Sequence, residues 1–325
     1  MKLLITGAAG FIGSNFVRRM LTGAYPQHCD TTVTVLDKLT YAGVKANLDP
    51  IAESERFTFV EGDICDGDLL ADLAPGHDAI VHFAAESHVD RSITGASDFV
   101  LTNVLGTQKL LQAALESGVE RFVHVSTDEV YGSIDEGSWL EDFPLAPNSP
   151  YSASKASSDL LARSYFRTFG LDVVITRCSN NYGPYQFPEK VIPLFVTNLM
   201  DGLQVPLYGD GLNVRDWLHV DDHCHGIQLV LDGGRPGEVY NIGGGTELTN
   251  KDLTYRLLDA MGADESRIRP VQDRKGHDRR YSVDIGKISD ELGYQPEVDF
   301  DNGLAQTIEW YRANEAWWRP LRGSS

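Results

Sequence analysis

Two short runs in this chain hold residues that could do chemistry. Tyr151-Ser152-Ala153-Ser154-Lys155 places a phenol and an ammonium four residues apart, which on a helix is one turn and one face. Such a pair can make a tyrosinate base beside a nicotinamide ring. A free tyrosine has a pKa near 10, about 3 units above neutrality or roughly 4 kcal/mol. The charge of Lys155 and that of an oxidised nicotinamide both favour the phenolate and can supply that difference. Thr127-Asp128-Glu129 adds two adjacent carboxyl groups. Oxidation of an alcohol needs one base, so an acid and a second base indicate that something is eliminated as well. To act as an acid near pH 7, Asp128 needs its pKa raised about 3 units from ~3.9. Burial and the like charge of Glu129 both push that way.

These residues need a scaffold that brings distant loops together. Lys2–Thr6, Thr32–Leu36, Phe57–Val60, Ala79–Phe83, Arg121–Ser126 and Asp172–Arg177 are β-rich runs nearly unbroken by polar residues, as strands buried on both faces are. Ser14–Leu21, Phe99–Glu116 and Ser152–Phe169 have helical spacing between them. The alternation predicts an α/β fold, a Rossmann-type doubly wound parallel sheet. From about Gly183 onward prolines and glycines break the pattern, and a smaller, loop-rich α/β domain is expected. Residues 1–182 are read as the dinucleotide-binding domain, rejoined by a segment near 212–243, with a strand expected near Gly237–Ile242. Residues 183–325 are read mainly as the substrate domain. The segment from Trp310 is aromatic and helical, with fraying expected in the last few residues.

Composition narrows the partners. A net charge of −19 argues against nucleic acid and anionic membrane, and it requires a local cluster of Arg and Lys for any anionic substrate. No apolar run approaches ~18 residues, so no membrane span is expected. Four scattered cysteines, without metal-ligand spacing, read as the thiols of a reducing cytoplasm, and no metal is expected. His82, His124 and His225 suit core or interface positions better than ligand positions.

Gly7-Ala8-Ala9-Gly10-Phe11-Ile12-Gly13 falls between the first predicted strand and the first helix. Gly7, Gly10 and Gly13 allow a tight turn and the approach of a pyrophosphate to a helix N-terminus. Asp37 ends the second strand, where a carboxylate binds a ribose and repels the 2′-phosphate of NADP; NAD is the expected cofactor. Lys38 beside it weakens that discrimination slightly. Asp63-Ile64, after the third strand, is placed to hold the adenine edge.

His82-Phe83-Ala84-Ala85-Glu86-Ser87-His88-Val89-Asp90-Arg91-Ser92, Ser126-Thr127-Asp128-Glu129-Val130-Tyr131-Gly132 and Arg177-Cys178-Ser179-Asn180-Asn181-Tyr182-Gly183-Pro184 closely resemble the motifs of the dTDP-glucose 4,6-dehydratases, which are extended short-chain dehydrogenase/reductases. Asn213-Val214-Arg215-Asp216-Trp217 and Gly276-His277-Asp278-Arg279-Arg280-Tyr281 resemble that family's substrate-domain motifs. The resemblance implies three stages. Tyr151, with Thr127 and Lys155, oxidises the sugar at C4; Glu129 removes the acidified C5 proton while Asp128 protonates the departing C6 hydroxyl; hydride then returns to C6. It further implies cofactor contacts from Phe11, Ile12, Asp37, Lys38, Leu39, Thr40, Asp63, Ile64, Ala84, Ala85, Thr102 and Asn181. Ser87, Thr127, Asn180, Lys190, Val191, Pro206, Leu207, Tyr208, Arg215, Asn250, Asp273, Arg274 and His277 would contact the nucleotide sugar. One departure is Val44, where the family commonly has Asn; it puts a local loop contact in doubt.

Three rival readings remain at this stage. An NDP-sugar 4-epimerase shares the fold, NAD and Tyr-x-x-x-Lys, but generally has small or neutral residues at the Asp128 and Glu129 positions. A GDP-mannose or CDP-glucose dehydratase is another enzyme alternative, the first usually with Ser at the Asp128 position. A non-catalytic dinucleotide sensor would be marked by loss of Tyr151 or Lys155, and both are present. Apolar stripes on Phe99–Glu116 and Ser152–Phe169 are expected to pair in a two-fold homodimer.

Overall fold

The apolar runs form strands β1 Lys2–Thr6, β2 Thr32–Asp37, β3 Phe57–Glu61, β4 Ala79–His82, β5 Arg121–Thr127 and β6 Val173–Cys178. They pair in parallel in the order β3-β2-β1-β4-β5-β6. The computed structural model describes residues 1–323; the fraying expected at the chain end concerns Ser324 and Ser325, which lie outside the described residues. Alternate side chains of each strand serve two cores, which is why these runs show no polar face. Leu3, Ile5, Val33, Val81 and Val123 pack beneath helices Phe11–Leu21 and Val220–Gly233. Leu4, Leu36, Ile80, Phe122 and Val173 pack beneath Thr107–Glu116 and Pro150–Phe169 on the other face.

The remaining strands are β7 Asn180–Tyr182, β8 Val205–Tyr208, β9 Val214–His219, β10 Val239–Ile242, β11 Glu247–Thr249 and β12 Ile268–Val271. β10 adds to the large sheet beside β6, in parallel. β7, β9 and β11 form a second sheet and β8 pairs with β12, both around a third core that includes Tyr182, Ile192, Trp217, Leu257 and Trp318. The winding direction of the large sheet reverses between β1 and β4, and at such a switch point the loops at the carboxyl ends of the strands part to leave a crevice.

Two helices depart locally from the expected pattern, both near that crevice. Pro150–Phe169 begins two residues earlier than expected, with Pro150 in its first turn and a reciprocal Ser149/Ser152 capping box. Tyr151 thus lies in the rigid first turn. The expected helix Phe99–Glu116 contains a π-helical stretch at Val100–Gly106. Its buried Asn103 accepts from Glu86 N (2.8 Å) and donates to Glu86 O (3.0 Å) and Ser154 Oγ (2.8 Å). These bonds tie the stretch to the loop after β4 and to the Tyr151 helix, and π-bulges often mark functional positions.

Asp159 and Arg177 form a buried ion pair (2.9 Å) behind the catalytic-type residues. Burial alone would raise the Asp159 pKa, but Arg177 and His124 hold it down at about 2. His124 is buried at 3.3 Å from the same carboxylate and stacks near the buried His82. Asp159→Asn leaves Arg177 uncompensated and should cost about 3–5 kcal/mol of unfolding free energy in urea titrations. Because the folded pKa is depressed, this stability is present above the unfolded value of about 4 and is lost as pH falls toward 2. A loss below about 1 kcal/mol would contradict the role given to this pair.

Candidate active site

The crevice is a cavity of about 310 Å³. Gly7, Gly10, Phe11, Ile12 and Gly13 line it after β1, with Asp37, Lys38 and Thr40 after β2, and Asp63 and Ile64 after β3. Ala84, Ala85 and Ser87 after β4 join Thr102, Thr127, Asp128, Glu129, Tyr151, Lys155, Asn180, Asn181 and Lys190 in the same wall. Residues far apart in sequence therefore meet at the carboxyl edge of one sheet.

At the dinucleotide end, Gly7 has φ +73°, and a Cβ there would lie 2.4 Å from Ala84 N. The turn thus packs directly on the loop after β4, as only glycine allows. Helix Phe11–Leu21 starts at Gly10 without a side-chain cap, which leaves its first-turn N–H groups to a ligand. The buried Asp37 carboxylate accepts from Ala9 N and Leu39 N, each at 2.8 Å. Burial pushes its pKa up and these two bonds oppose that. An uncapped helix start, a glycine-packed turn and a carboxylate at the end of β2 fit a dinucleotide with a free ribose 2′-hydroxyl.

Some residues are placed differently from expectation. Leu39 is not in the cavity wall; its left-handed backbone (φ 55°) turns its N–H onto Asp37, and its side chain packs on the sheet core. Lys38 pairs with Asp63 at 2.7 Å, so its charge is already compensated. Cys178 is buried against the sheet core and also lines the cavity. Val44 donates its N–H to Ala9 O (2.9 Å), and the side-chain contact to the same carbonyl comes from Asn47 (2.8 Å).

At the other end, Thr127, the last residue of β5, caps the short turn Asp128–Tyr131. Asp128 is 2% exposed, and its Oδ2 has no hydrogen-bond partner. A buried carboxyl oxygen without a partner is costly in a folded protein and points to a ligand. Burial pushes the Asp128 pKa well up, and the charges of Glu129 and Asp216 add to it. Burial also raises Glu129, but Arg274, Arg215 and Lys190 act against it. Two adjacent carboxyls are thereby driven apart in acidity.

Tyr151 and Lys155 share the wall, but no bond joins them: Lys155 Nζ donates to Val125 O at 2.9 Å. Burial brings Lys155 down to about 8. Burial, with the charge of Glu129, pushes the Tyr151 phenol well up. The tyrosinate expected of Tyr151 therefore depends on both charges, that of Lys155 and that of an oxidised nicotinamide.

Val191, Pro206, Leu207, Tyr208, Arg215, Asn250, Asp273, Arg274 and His277 lie outside the cavity wall, on the second half of the chain. Val191 packs into the third core. Pro206, Leu207 and Tyr208 are on β8, Arg215 is on β9, and Asn250 opens the helix Asn250–Met261. His277 is 2.6 Å from Asp273, and Arg274 is 3.8 Å from Asp90 in the first turn of the short helix Val89–Thr94. Sequence reasoning missed Asp216, whose carboxylate is held by Ser179 Oγ (2.7 Å), Gly244 N (3.0 Å) and Thr246 N (2.8 Å) and adds negative charge near Asp128. It also missed Glu189, a cavity residue that accepts from Tyr41 OH at 3.0 Å. Neighbours of both, Arg215 and Lys190, stood among the expected contacts and were the available signal.

Comparison with known proteins decides between the readings that share this fold. The model of the GDP-mannose 4,6 dehydratase family matches residues 4–307. A dTDP-glucose 4,6-dehydratase of Streptomyces antibioticus is 66% identical over 326 residues, covering 99% of this chain and 96% of that protein. The crystal structure of DesIV, a dTDP-glucose 4,6-dehydratase from Streptomyces venezuelae with NAD and TYD bound, is 68% identical with a TM-score of 0.98 and covers 99% of this chain and 100% of its own. The chain belongs to the dTDP-glucose 4,6-dehydratase family. The UDP-glucose 4-epimerase of Thermotoga maritima has the same fold at a TM-score of 0.87, over 97% of this chain and 100% of its own, but at 31% identity. In this chain a carboxyl pair, Asp128 and Glu129, shares the cavity wall with Tyr151 and Lys155. Members of the family are hydro-lyases, and the unpartnered Asp128 oxygen is where a leaving hydroxyl could be met.

Gly7→Ala should give dehydratase that purifies folded but without bound dinucleotide, because a Cβ cannot fit against Ala84. Absorbance of the acid-released supernatant tests this, and full retention of dinucleotide would contradict the packing described.

Proposed function

We propose that this chain converts dTDP-glucose to dTDP-4-keto-6-deoxyglucose in a cavity holding NAD. The observation that carries the reading is the buried Asp128 carboxyl with an unpartnered oxygen, beside Glu129 and in one wall with Tyr151 and Lys155. Bound NAD would supply the hydride acceptor and donor for the redox chemistry at C4 and C6, and a positive ring that would favour the tyrosinate form of Tyr151. Its holders would be the turn Gly7–Gly13, Asp37, Asp63, Thr102, Lys155 and Asn181. Asp37 supports NAD over NADP, and the Lys38–Asp63 pair takes away the nearest cation that a 2′-phosphate could use.

Tyr151 takes the C4 hydroxyl proton, with Thr127 orienting that hydroxyl. Once C4 is a carbonyl, the C5 proton is acidic; Glu129 removes it and, after water has left, gives a proton back to C5 as hydride is delivered to C6. Lys190, Arg215 and Arg274 keep Glu129 available as the base by opposing the rise that burial imposes. Asp128, kept protonated by burial and by Glu129 and Asp216, gives its proton to the C6 hydroxyl as it leaves. The same basic residues, with the β8 and Asp273–His277 segments, supply the positive and hydrogen-bonding surroundings that a diphosphate needs in an otherwise acidic protein. In this reading residues 1–182, with the segment through β10, bind NAD, and the rest mainly binds the nucleotide sugar.

Glu129→Gln should accumulate reduced cofactor when given dTDP-glucose, seen at 340 nm, while water loss slows by about 10²–10⁴-fold. Unimpaired turnover would remove Glu129 from the mechanism. Asp128 works as the protonated acid, so the rate should fall on the alkaline side as this raised group ionises. Asp128→Asn should lose that alkaline limb and about 10²–10⁴-fold in rate. A wild-type alkaline limb kept unchanged in the variant would assign it elsewhere.

The partner surface is read the same way. Val100, Leu101, Leu105 and Leu160 are exposed on two helices that pack together, Leu160 at 57%. An apolar face on a strongly acidic protein is best covered by a second copy of itself. Light scattering at micromolar concentration should give a dimer that Leu160→Glu weakens; a wild-type monomer would contradict this. Among the described residues no helix is long and apolar enough to cross a membrane, and four free thiols support a cytoplasmic setting.

A further inference from the structure

The aromatic segment after Phe300 has no part in the chemistry above, yet it reaches the cavity from behind at two points. At the first, Trp317 Nε1 donates to Asn47 Oδ1 at 2.9 Å. Asn47 is 1% exposed: its side-chain Nδ2 donates to Ala9 O (2.8 Å) and its backbone carbonyl accepts from Arg18 Nη1 (2.7 Å). Ala9 is the middle of the glycine turn, and its own N–H donates to Asp37 Oδ2 at 2.8 Å. A continuous line of hydrogen bonds thus runs from Trp317 through Asn47 and Ala9 to the ribose-binding carboxylate.

At the second point, Tyr311 OH donates to Gln186 O, and Gln186 Nε2 donates to Asn181 O at 2.9 Å. Gln186 and Asn181 both line the cavity. Between the two lines lies Tyr185, a non-glycine residue held at φ +67°. Its ring is packed by Trp310 (4.4 Å), Trp317 (5.6 Å) and the Arg18 guanidinium (4.0 Å). A left-handed tyrosine persists only where its surroundings over-determine it, and such positions gather at ligand clamps.

We infer that Trp317 is a positioning residue of the cofactor site, which fixes the pyrophosphate turn and Asp37 through Asn47 and so slows the release of NAD. This rests on the reading of the cavity as the NAD site. It also gives Val44 a place: with Asn absent there, Ala9 O receives only a backbone donor from that residue, and Asn47, braced by Trp317, provides the side-chain bond. A cofactor regenerated in every turnover has no need to leave, so a brace that slows its release does not obstruct the cycle.

The test measures exchange of bound NAD against isotopically labelled NAD on the purified holoenzyme. Trp317→Phe keeps a ring in a half-buried position and deletes the N–H; exchange should quicken about fivefold, the loss expected for one such bond. Trp318→Phe is the control, since its Nε1 donates to Tyr311 O (2.8 Å) within the segment and does not touch Asn47. It should lower the melting temperature yet leave exchange unchanged. Exchange within twofold of wild type in Trp317→Phe, or equal acceleration in both variants, would overturn the inference. Wild-type protein that holds no NAD at all would instead refute the parent reading, and the two failures are distinguishable.

Discussion

A buried carboxyl group, Asp128, next to a half-buried one, Glu129, constrains the rest of this molecule. Asp128 and Glu129 follow β5 directly, so the sheet itself carries them to the crevice, where water is scarce and two adjacent negative charges are disfavoured. The environment resolves this by treating them differently. Asp128 faces Asp216 and has an oxygen with no partner, while Glu129 faces Lys190, Arg215 and Arg274. In the proposed mechanism an acid and a base result from two side chains of nearly the same intrinsic strength.

The scaffold follows from the same need. A parallel sheet buried on both faces has its loops at two edges only, and reversal of the winding between β1 and β4 opens one of them. The dinucleotide turn enters from β1 and the carboxyl pair from β5, with Tyr151 supplied by a helix whose first turn is locked by Ser149, Pro150 and Ser152. The positive charge that an acidic chain lacks overall is brought in by the second half, through β9 and the loop after β12. In the proposed mechanism the reacting groups come from the first half of the chain and the positive charge around them from the second.

Much of this was legible in the sequence because the signals are local. The six runs that became β1–β6 have a composition that only a doubly covered strand explains, and each was placed to within about a residue. The glycine turn, Asp37, the carboxyl pair and Tyr151/Lys155 were marked by residue type and spacing, and one cavity collects them. What was not legible depends on distant partners. The π-helical stretch at Val100–Gly106 exists because Asn103 bonds to Glu86 and Ser154, and no periodicity reveals that. Spacing does not reveal that Asp63 pairs with Lys38, nor that the Lys155 ammonium, one helical turn from Tyr151, donates to Val125 O. Asp216 and Glu189 stood next to residues already singled out, but their weight comes from charges that only the fold brings near.

The central claim is that oxidation at C4 serves to expel the hydroxyl at C6. It is tested most directly with dTDP-glucose carrying deuterium at C4 and the purified protein without added cofactor. The product, followed by mass spectrometry and NMR, should have lost one water and should carry the deuterium at C6. Deuterium retained at C4 in a product of unchanged mass would identify an epimerase-type cycle and contradict the account.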